Sequence, residues 1–234
     1  MDKYNTILFD VDDTLFDFKK SEINALHNTF MEYKMPEGLS DYHESYRQIS
    51  HKLWSDLENG EIGLRDLGIE RFKRLFLEHQ LETDALLFNR SYLGNLGNES
   101  HLMPGASELC RQLSGYRLAI ITNGFGEVQH ARIRNSPLCN FFEHIIVSEE
   151  TGYQKPHQGI FDYAFKKLQL TDKSKVLMVG DSLQSDIQGG INYGIDTCWF
   201  NPLQKENLTA FSPTYEIQHL SELAEIISGT KEKS

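Results

Sequence analysis

Cysteine is scarce in this sequence. Only Cys110, Cys139 and Cys198 occur among 234 residues, and no two of them form a CxxC pair. Their wide spacing and odd number argue against a disulfide framework and against a cysteine-based zinc site. We therefore expect three reduced thiols and a protein of a reducing compartment.

Long apolar runs are missing too. No stretch approaches the ~18 consecutive apolar residues that a membrane-spanning helix needs. The first residues enter a strand-like segment without the charged and then apolar pattern of a secretion signal. The sequence therefore predicts a cytoplasmic protein with no membrane partner.

Basic residues are outnumbered by acidic ones. The chain has 23 Lys and Arg against 34 Asp and Glu, a formal net charge of -11, which would repel the phosphates of a nucleic acid polymer. A small phosphorylated metabolite stays open as a partner, because a bound metal and a few local cations can create a positive pocket. Length and an ordinary composition, with 39% hydrophobic and 24% charged residues, favour a folded protein of at most two domains.

The hydrophobic pattern changes twice along the chain. Residues 6–9 form a short buried strand, residues 17–96 show long charged stretches of helical period, and the remainder alternates short apolar strands with amphipathic helices. We expect an α/β fold, a Rossmann-like parallel sheet with helices on both faces, plus an inserted helical cap domain. The core would comprise residues 1–16 and 97–234, with a polar tail at residues 230–234, and the cap residues 17–96.

Acidic residues follow the first strand directly, in the run Asp10-Val11-Asp12-Asp13-Thr14. In an extended backbone, residues two apart point to the same side about 6.6 Å from each other. Asp10 and Asp12 can therefore bracket one small reacting group. The alternative interpretation is an acidic turn that caps the following helix.

Two further strand ends carry groups suited to an anion. Thr122, Asn123 and Gly124 follow an apolar strand and offer a hydroxyl, an amide and an open backbone, while Lys155 precedes Pro156 at the start of a helix. These groups can hold a phosphate. An ordinary turn and a solvated surface lysine are the alternatives.

A last strand ends in Gly180, Asp181 and Ser182, and Asp186 follows about one helical turn later. Carboxylate oxygens suit magnesium, which takes one or two protein carboxylates and keeps several waters. Asp181 is the better ligand candidate, and Asp186 would act directly or through water. A helix cap at Ser182 is the alternative.

Taken in order, the patterns DxDxT, ThrAsn, LysPro and GlyAspxxxxAsp resemble the four motifs of haloacid dehalogenase superfamily phosphatases. This resemblance implies that Asp10 attacks phosphorus and that Asp12 protonates the leaving oxygen and later activates water. It also implies phosphate binding by Thr122, Asn123 and Lys155. The metal ligands implied for magnesium are Asp10, the backbone carbonyl of Asp12, and Asp181, with support from Asp186.

Shorter segments are similar to those of pyrimidine nucleoside 5'-monophosphatases within this superfamily: Leu53-Trp54, Glu58-Asn59-Gly60, Ser148-Glu149-Glu150 with Gly152, and residues 160–164. The run from Gly180 to Trp199 also resembles N-acylneuraminate-9-phosphate phosphatases. The implied function is a magnesium-dependent phosphomonoesterase that acts through an aspartyl-phosphate intermediate, with a pyrimidine nucleoside 5'-monophosphate as the expected substrate.

Several alternatives stay open: an acylneuraminate or sugar-phosphate phosphatase, a phosphosugar mutase, and a phospho-accepting signalling module. Asp12 disfavours a dehalogenase, because family dehalogenases lack an acid/base residue at this position. The helical insertion and Asp12 also favour turnover over signalling, since receiver domains are about half as long.

Overall fold

The computed structural model describes residues 3–35 and 39–229; the predicted polar tail at residues 230–234 lies outside them. The chain divides into two compact units. The sheet unit contains His101–Gly126 together with the described chain before Lys19 and after Arg132. The helical unit contains Lys19–Ser100 and Glu127–Arg132. The sequence pattern predicts that this last segment belongs to the core, yet it groups with the helices.

A six-stranded sheet organises the first unit. Its strands are β1 (Thr6–Phe9), β2 (Arg117–Thr122), β3 (His144–Val147), β4 (Val176–Gly180), β5 (Asp196–Phe200) and β6 (Tyr215–Ile217). Their order is β3-β2-β1-β4-β5-β6, and all neighbouring pairs are parallel. The predicted α/β class with a parallel sheet is therefore confirmed. Strand β6 was not predicted.

Five α-helices lie wholly within this unit. They are α5 (Ala106–Gln112), α7 (Ser148–Thr151), α8 (Gln158–Lys167), α9 (Gln188–Tyr193) and α10 (Ser221–Ile227); most of α6 (Gly126–Arg134) belongs to the helical unit. Strand β1 shows why two layers form: Ile7 and Phe9 pack in one hydrophobic cluster with α5 and α10, whereas Leu8 packs in another with α8. Burial on both faces explains the unbroken apolar character of the strand.

The helical unit is built from α1 (Phe18–Glu32), α2 (Leu39–Glu58), α3 (Leu64–Glu78) and α4 (Ala85–Gly97). Aromatic side chains fill its interior: the ring centroids of Phe72 and Phe88 lie 4.8 Å apart, and those of Phe30 and Phe88 lie 5.1 Å apart. Arg71 is buried among them and donates from Nη2 to Asn89 Oδ1 at 2.9 Å. The aromatic residues of the insertion thus serve mainly as packing.

Among the described residues, no helix is both long and apolar enough to cross a membrane.

Candidate active site

The carboxyl ends of β1, β2 and β4 meet at one edge of the sheet. In the parallel register Phe9 pairs with Ile120 on one side and with Val179 on the other. The Asp10 backbone N–H extends this pairing by donating to the Val179 carbonyl at 2.9 Å. Residues that follow these three strands therefore converge, as ligand-binding residues do in open α/β sheets.

A buried ion cluster lies at this edge. The Lys155 ammonium is 2.5 Å from Asp10 Oδ1 and 2.7 Å from Asp186 Oδ1, and it also donates to the Ile121 carbonyl at 2.8 Å. An ammonium group has three N–H donors, so every donor of Lys155 is used. Lys155 is 1% exposed and Asp186 is 0% exposed. The two motifs that carry these residues thus meet in space with Asp10.

Asn123 positions the lysine. Its Oδ1 accepts the Lys155 backbone N–H at 2.8 Å, and its Nδ2 donates to the Lys155 carbonyl at 3.0 Å. The neighbouring Thr122 is buried, and its hydroxyl donates to the Asn123 carbonyl at 3.3 Å. The amide predicted to hold phosphate therefore holds the backbone of the lysine in this structure.

Asp186 reaches the cluster because the chain turns tightly after β4. A Cβ atom on Gly180 would lie 2.2 Å from Asp186 Oδ2, so only glycine leaves room for this carboxylate. The Ser182 backbone N–H donates to that same oxygen at 3.0 Å. Ser182 also caps the turn, since its Oγ accepts from Ser185 N at 3.1 Å. The capping alternative and the acidic cluster therefore coexist.

The aspartates of the loop after β1 make different contacts. Asp13 has a left-handed backbone, with φ of 56°, and its Oδ1 accepts from the Phe18 backbone N–H at 3.0 Å. Asp13 thus fastens the start of α1. Asp12 is half-buried and forms a backbone bridge with Phe16. Within the described residues, the buried Thr14 hydroxyl has no hydrogen-bond partner.

Burial and like charges perturb the carboxylates. Burial raises the pKa of Asp10 to about 7. The positive charge of Lys155 acts to lower this pKa, and the negative charges of Asp186 and Asp12 act to raise it further. Burial also holds the pKa of Asp181 well above its usual range, assisted by Asp186, Asp10 and Asp13. Lys205 opposes this effect.

Lys155 responds to the same charges. Burial alone would lower its pKa, but the Asp10 and Asp186 carboxylates raise it overall. We therefore expect Lys155 to stay charged; two carboxylates, Asp10 and Asp186, then share one buried ammonium, and the Asp181 carboxylate lies nearby without contacting it.

The donor set fits a hard divalent cation. Asp10, Asp181 and Asp186 each offer a carboxylate oxygen, and these oxygens lie within 4.8 Å of one another. Magnesium prefers such oxygen ligands, and a divalent cation would neutralise the excess negative charge of the cluster. These three residues could hold it.

Two contributors to this site were not predicted. The first is Asp13, whose charge acts on Asp181 and whose side chain fixes the loop. The second is Lys205, in the segment after β5. Asn201, a polar residue placed directly after a strand as Asn123 is, was the available signal for that segment.

Comparison with known proteins places the chain in a family. The family model of haloacid dehalogenase-like hydrolases matches residues 4–194. The chain is 34% identical over 226 residues to the pyrimidine 5'-nucleotidase YjjG of Escherichia coli (strain K12), covering 96% of this chain and 98% of the relative. It is 36% identical to the pyrimidine 5'-nucleotidase PynA of Streptococcus pneumoniae (strain ATCC BAA-255 / R6), covering 96% and 95%.

A solved structure agrees over nearly the whole length. The crystal structure of the HAD-hydrolase YfnB of Bacillus subtilis, described as bound to magnesium and as revealing interdomain movement, matches with a TM-score of 0.90. The identity is 39%, and the match covers 96% of this chain and 99% of that one. The predicted resemblance is thereby confirmed: this chain belongs to the haloacid dehalogenase-like hydrolase family, and it is an enzyme.

Proposed function

We propose that this enzyme is a magnesium-dependent phosphomonoesterase with Asp10 as its nucleophile. One observation carries the proposal: Asp10 is buried at the carboxyl edge of the sheet, 2.5 Å from Lys155 and beside the Asp181 and Asp186 carboxylates. Such a site combines a nucleophile with the charge neutralisation that a phosphate dianion requires.

The reaction would proceed in two halves. An Asp10 oxygen attacks phosphorus while the bond to the leaving oxygen breaks, and Asp12 gives its proton to that oxygen. Water then attacks phosphorus of the aspartyl-phosphate, Asp12 takes the proton of the water, and Asp10 is released with inorganic phosphate. Asp12 thus acts first as acid and then as base.

Magnesium would be held by Asp10 and Asp181, with Asp186 in support and the Asp12 carbonyl as a further ligand. When bound, it supplies charge neutralisation for the phosphoryl oxygens. Lys155, Thr122 and Asn123 would bind those oxygens from the protein side. Because the donors of Lys155 are occupied by Asp10, Asp186 and Ile121, a substrate phosphate would have to replace one of these partners.

The proposed substrate is a pyrimidine nucleoside 5'-monophosphate. The names of YjjG and PynA support this choice, since both relatives match the chain over at least 95% of their own length. That length includes the helical unit, which we propose is the cap domain, with the sheet unit as the core. Each monophosphate presents the same phosphoryl group to Asp10, so discrimination must come from contacts to the base or sugar. A cytoplasmic location stays a prediction from the sequence.

A phosphate-release screen tests this proposal. Nucleoside monophosphates, hexose phosphates, acylneuraminate 9-phosphate and an aryl phosphate would be compared by kcat/KM, with magnesium and with a chelator. We expect pyrimidine monophosphates to rank first and the rate to collapse without the metal. A preference for a sugar phosphate would refute the substrate. Isomerisation of a sugar phosphate without free phosphate would indicate a mutase.

A further inference from the structure

Two asparagine–lysine pairs stand at the carboxyl edge of the sheet. Asn123 follows β2 and holds the backbone N–H and carbonyl of Lys155, as described above. Asn201 follows β5 and does the same for Lys205: its Oδ1 accepts the Lys205 N–H at 2.9 Å, and its Nδ2 donates to the Lys205 carbonyl at 3.0 Å. The same arrangement thus places two lysines.

The second pair is rigidly supported. Asn201 is 2% exposed, and its backbone N–H donates to the Ile217 carbonyl of β6 at 2.8 Å. Its Nδ2 also donates to Glu216 Oε1 at 2.7 Å, and its carbonyl accepts from Gln204 N at 3.1 Å. A buried amide with all these partners fixes the backbone position of Lys205.

The strand end that carries Asn201 lies next to the one that carries Asp181. Gly180 pairs with Trp199 in the parallel register, so Asp181 and Asn201 both lie just beyond the ends of neighbouring strands. The indole Nε1 of Trp199 donates to the Asp181 carbonyl at 2.8 Å and joins the two strand ends.

The two lysines differ in what their ammonium groups contact. All three donors of Lys155 are used inside the protein. The Lys205 side chain is exposed, and its ammonium forms no hydrogen bond or ion pair with any residue that the structure describes. A positioned backbone with an uncommitted cation suits the binding of a mobile anion.

We propose that Lys205 is a second anion-binding lysine of this site, which binds the phosphate group of the substrate from the side of Asp181. The inference rests on the proposed phosphatase function. It requires that the charge of Lys205 act with opposite sign on the two ligands: it attracts the phosphate dianion and repels magnesium. A lysine that merely supports the loop would not separate these two effects.

The test compares Lys205→Gln with Lys175→Gln. Lys175 directly precedes β4 and therefore lies at the opposite edge of the sheet from Asp181. Isothermal calorimetry would measure magnesium binding to the phosphate-free protein and inorganic phosphate binding to the magnesium-loaded protein. For Lys205→Gln we expect phosphate affinity to fall roughly two- to fivefold, as an exposed ion pair allows, while magnesium affinity rises. Lys175→Gln should alter neither affinity.

Lys205→Arg keeps the charge and should retain the phosphate affinity. Because the Asn201 bonds involve only the backbone of Lys205, the substitutions should leave the loop intact. An unchanged phosphate affinity in Lys205→Gln, or a loss of both affinities, would overturn the proposal. If the wild type hydrolysed no phosphomonoester but the binding differences persisted, the proposed function would fail, and Lys205 would stand as an anion-binding lysine of this site without a phosphomonoester substrate.

Discussion

At the scale of single residues, the ionised form of Asp10 lowers the stability of the metal-free protein. Its pKa of about 7 in the fold, against an ordinary 3.8, means that the folded protein keeps a proton which the unfolded chain loses at much lower pH. The associated stability is present below the ordinary pKa and is lost as the pH rises towards 7. The reaction needs the ionised form of Asp10, whereas the metal-free fold is more stable with the protonated form.

Asp10→Asn should reduce phosphate release more than about 10³-fold, since an amide is a poor nucleophile. The variant has no proton to lose at this position. With a chelator present, its melting temperature minus that of the wild type should therefore increase from pH 5.5 to pH 8. Thermal denaturation at both pH values measures this difference. A difference that does not change with pH would contradict the ionisation argument.

The proton of Asp12 matters most when the leaving group is basic. Asp12→Asn should lower kcat about 10²- to 10⁴-fold for an alkyl phosphate, and clearly less for an aryl phosphate, whose leaving oxygen needs no protonation. Steady-state kinetics on both esters gives the two ratios. Equal losses would assign Asp12 a structural or metal-holding part instead.

From the sequence one can predict which residues gather at the site, but not all of the hydrogen bonds and ion pairs that their side chains form. Strand ends converge in any parallel sheet, so Asp10, Thr122 and Asp181 could be brought together from pattern alone. The pairing of Lys155 with Asp186, and the use of the Asn123 amide on the lysine backbone, depend on contacts through space. No spacing along the chain encodes them.

At the scale of elements, the turn after β4 shows how closely the site is packed. A methyl group at position 180 would collide with Asp186 Oδ2, so Gly180→Ala must displace the carboxylate or the strand end. We expect a loss of roughly 1–3 kcal/mol in the free energy of unfolding, together with weaker magnesium binding. Chemical denaturation and metal titration measure the two effects.

Gly94 in α4 supplies the matched control. Apart from its chain neighbours and the nearby backbone of its own helix, no atom lies within 4 Å of the position that its Cβ would occupy. Gly94→Ala should therefore keep or slightly raise stability, as alanine does inside helices, and should leave metal binding alone. If Gly180→Ala were equally harmless, the close approach of Asp186 would not constrain the turn.

Short elements were harder to predict than long ones. The strands β1 to β5 have four to six residues each, most of them apolar, whereas β6 has only three, and its middle residue, Glu216, is exposed. Its pairing with β5 supports the Asn201 segment. A strand as short as β6 has no periodic pattern of its own. It forms through its pairing with β5, and that pairing cannot be read from a single sequence.

At the scale of the whole molecule, the chain divides by packing rather than by sequence order. Residues 127–132 follow a strand of the sheet yet group with the helices of the other unit. Only Val128 and Ala131 in this segment are apolar, and Gln129 and Arg132 are buried as well, so the sequence pattern does not reveal which unit it joins. The sequence shows the long helical stretch of residues 17–96, whereas the grouping of residues 127–132 depends on tertiary contacts.

All the proposed metal-binding residues belong to the sheet unit, so magnesium should stabilise that unit in particular. Binding at 100 times Kd contributes about 2.7 kcal/mol to the folded state, which corresponds to roughly 5–10 °C in a domain of 150–250 residues. Differential scanning calorimetry of the wild type should show this rise, and Asp181→Ala should abolish it.

Asp66→Asn, on the exposed side of α3 in the helical unit, is the control and should keep the rise. A rise that survives in Asp181→Ala would place magnesium elsewhere. If the two units melt separately, only the transition of the sheet unit should move, because the helical unit contributes no carboxylate to the cluster.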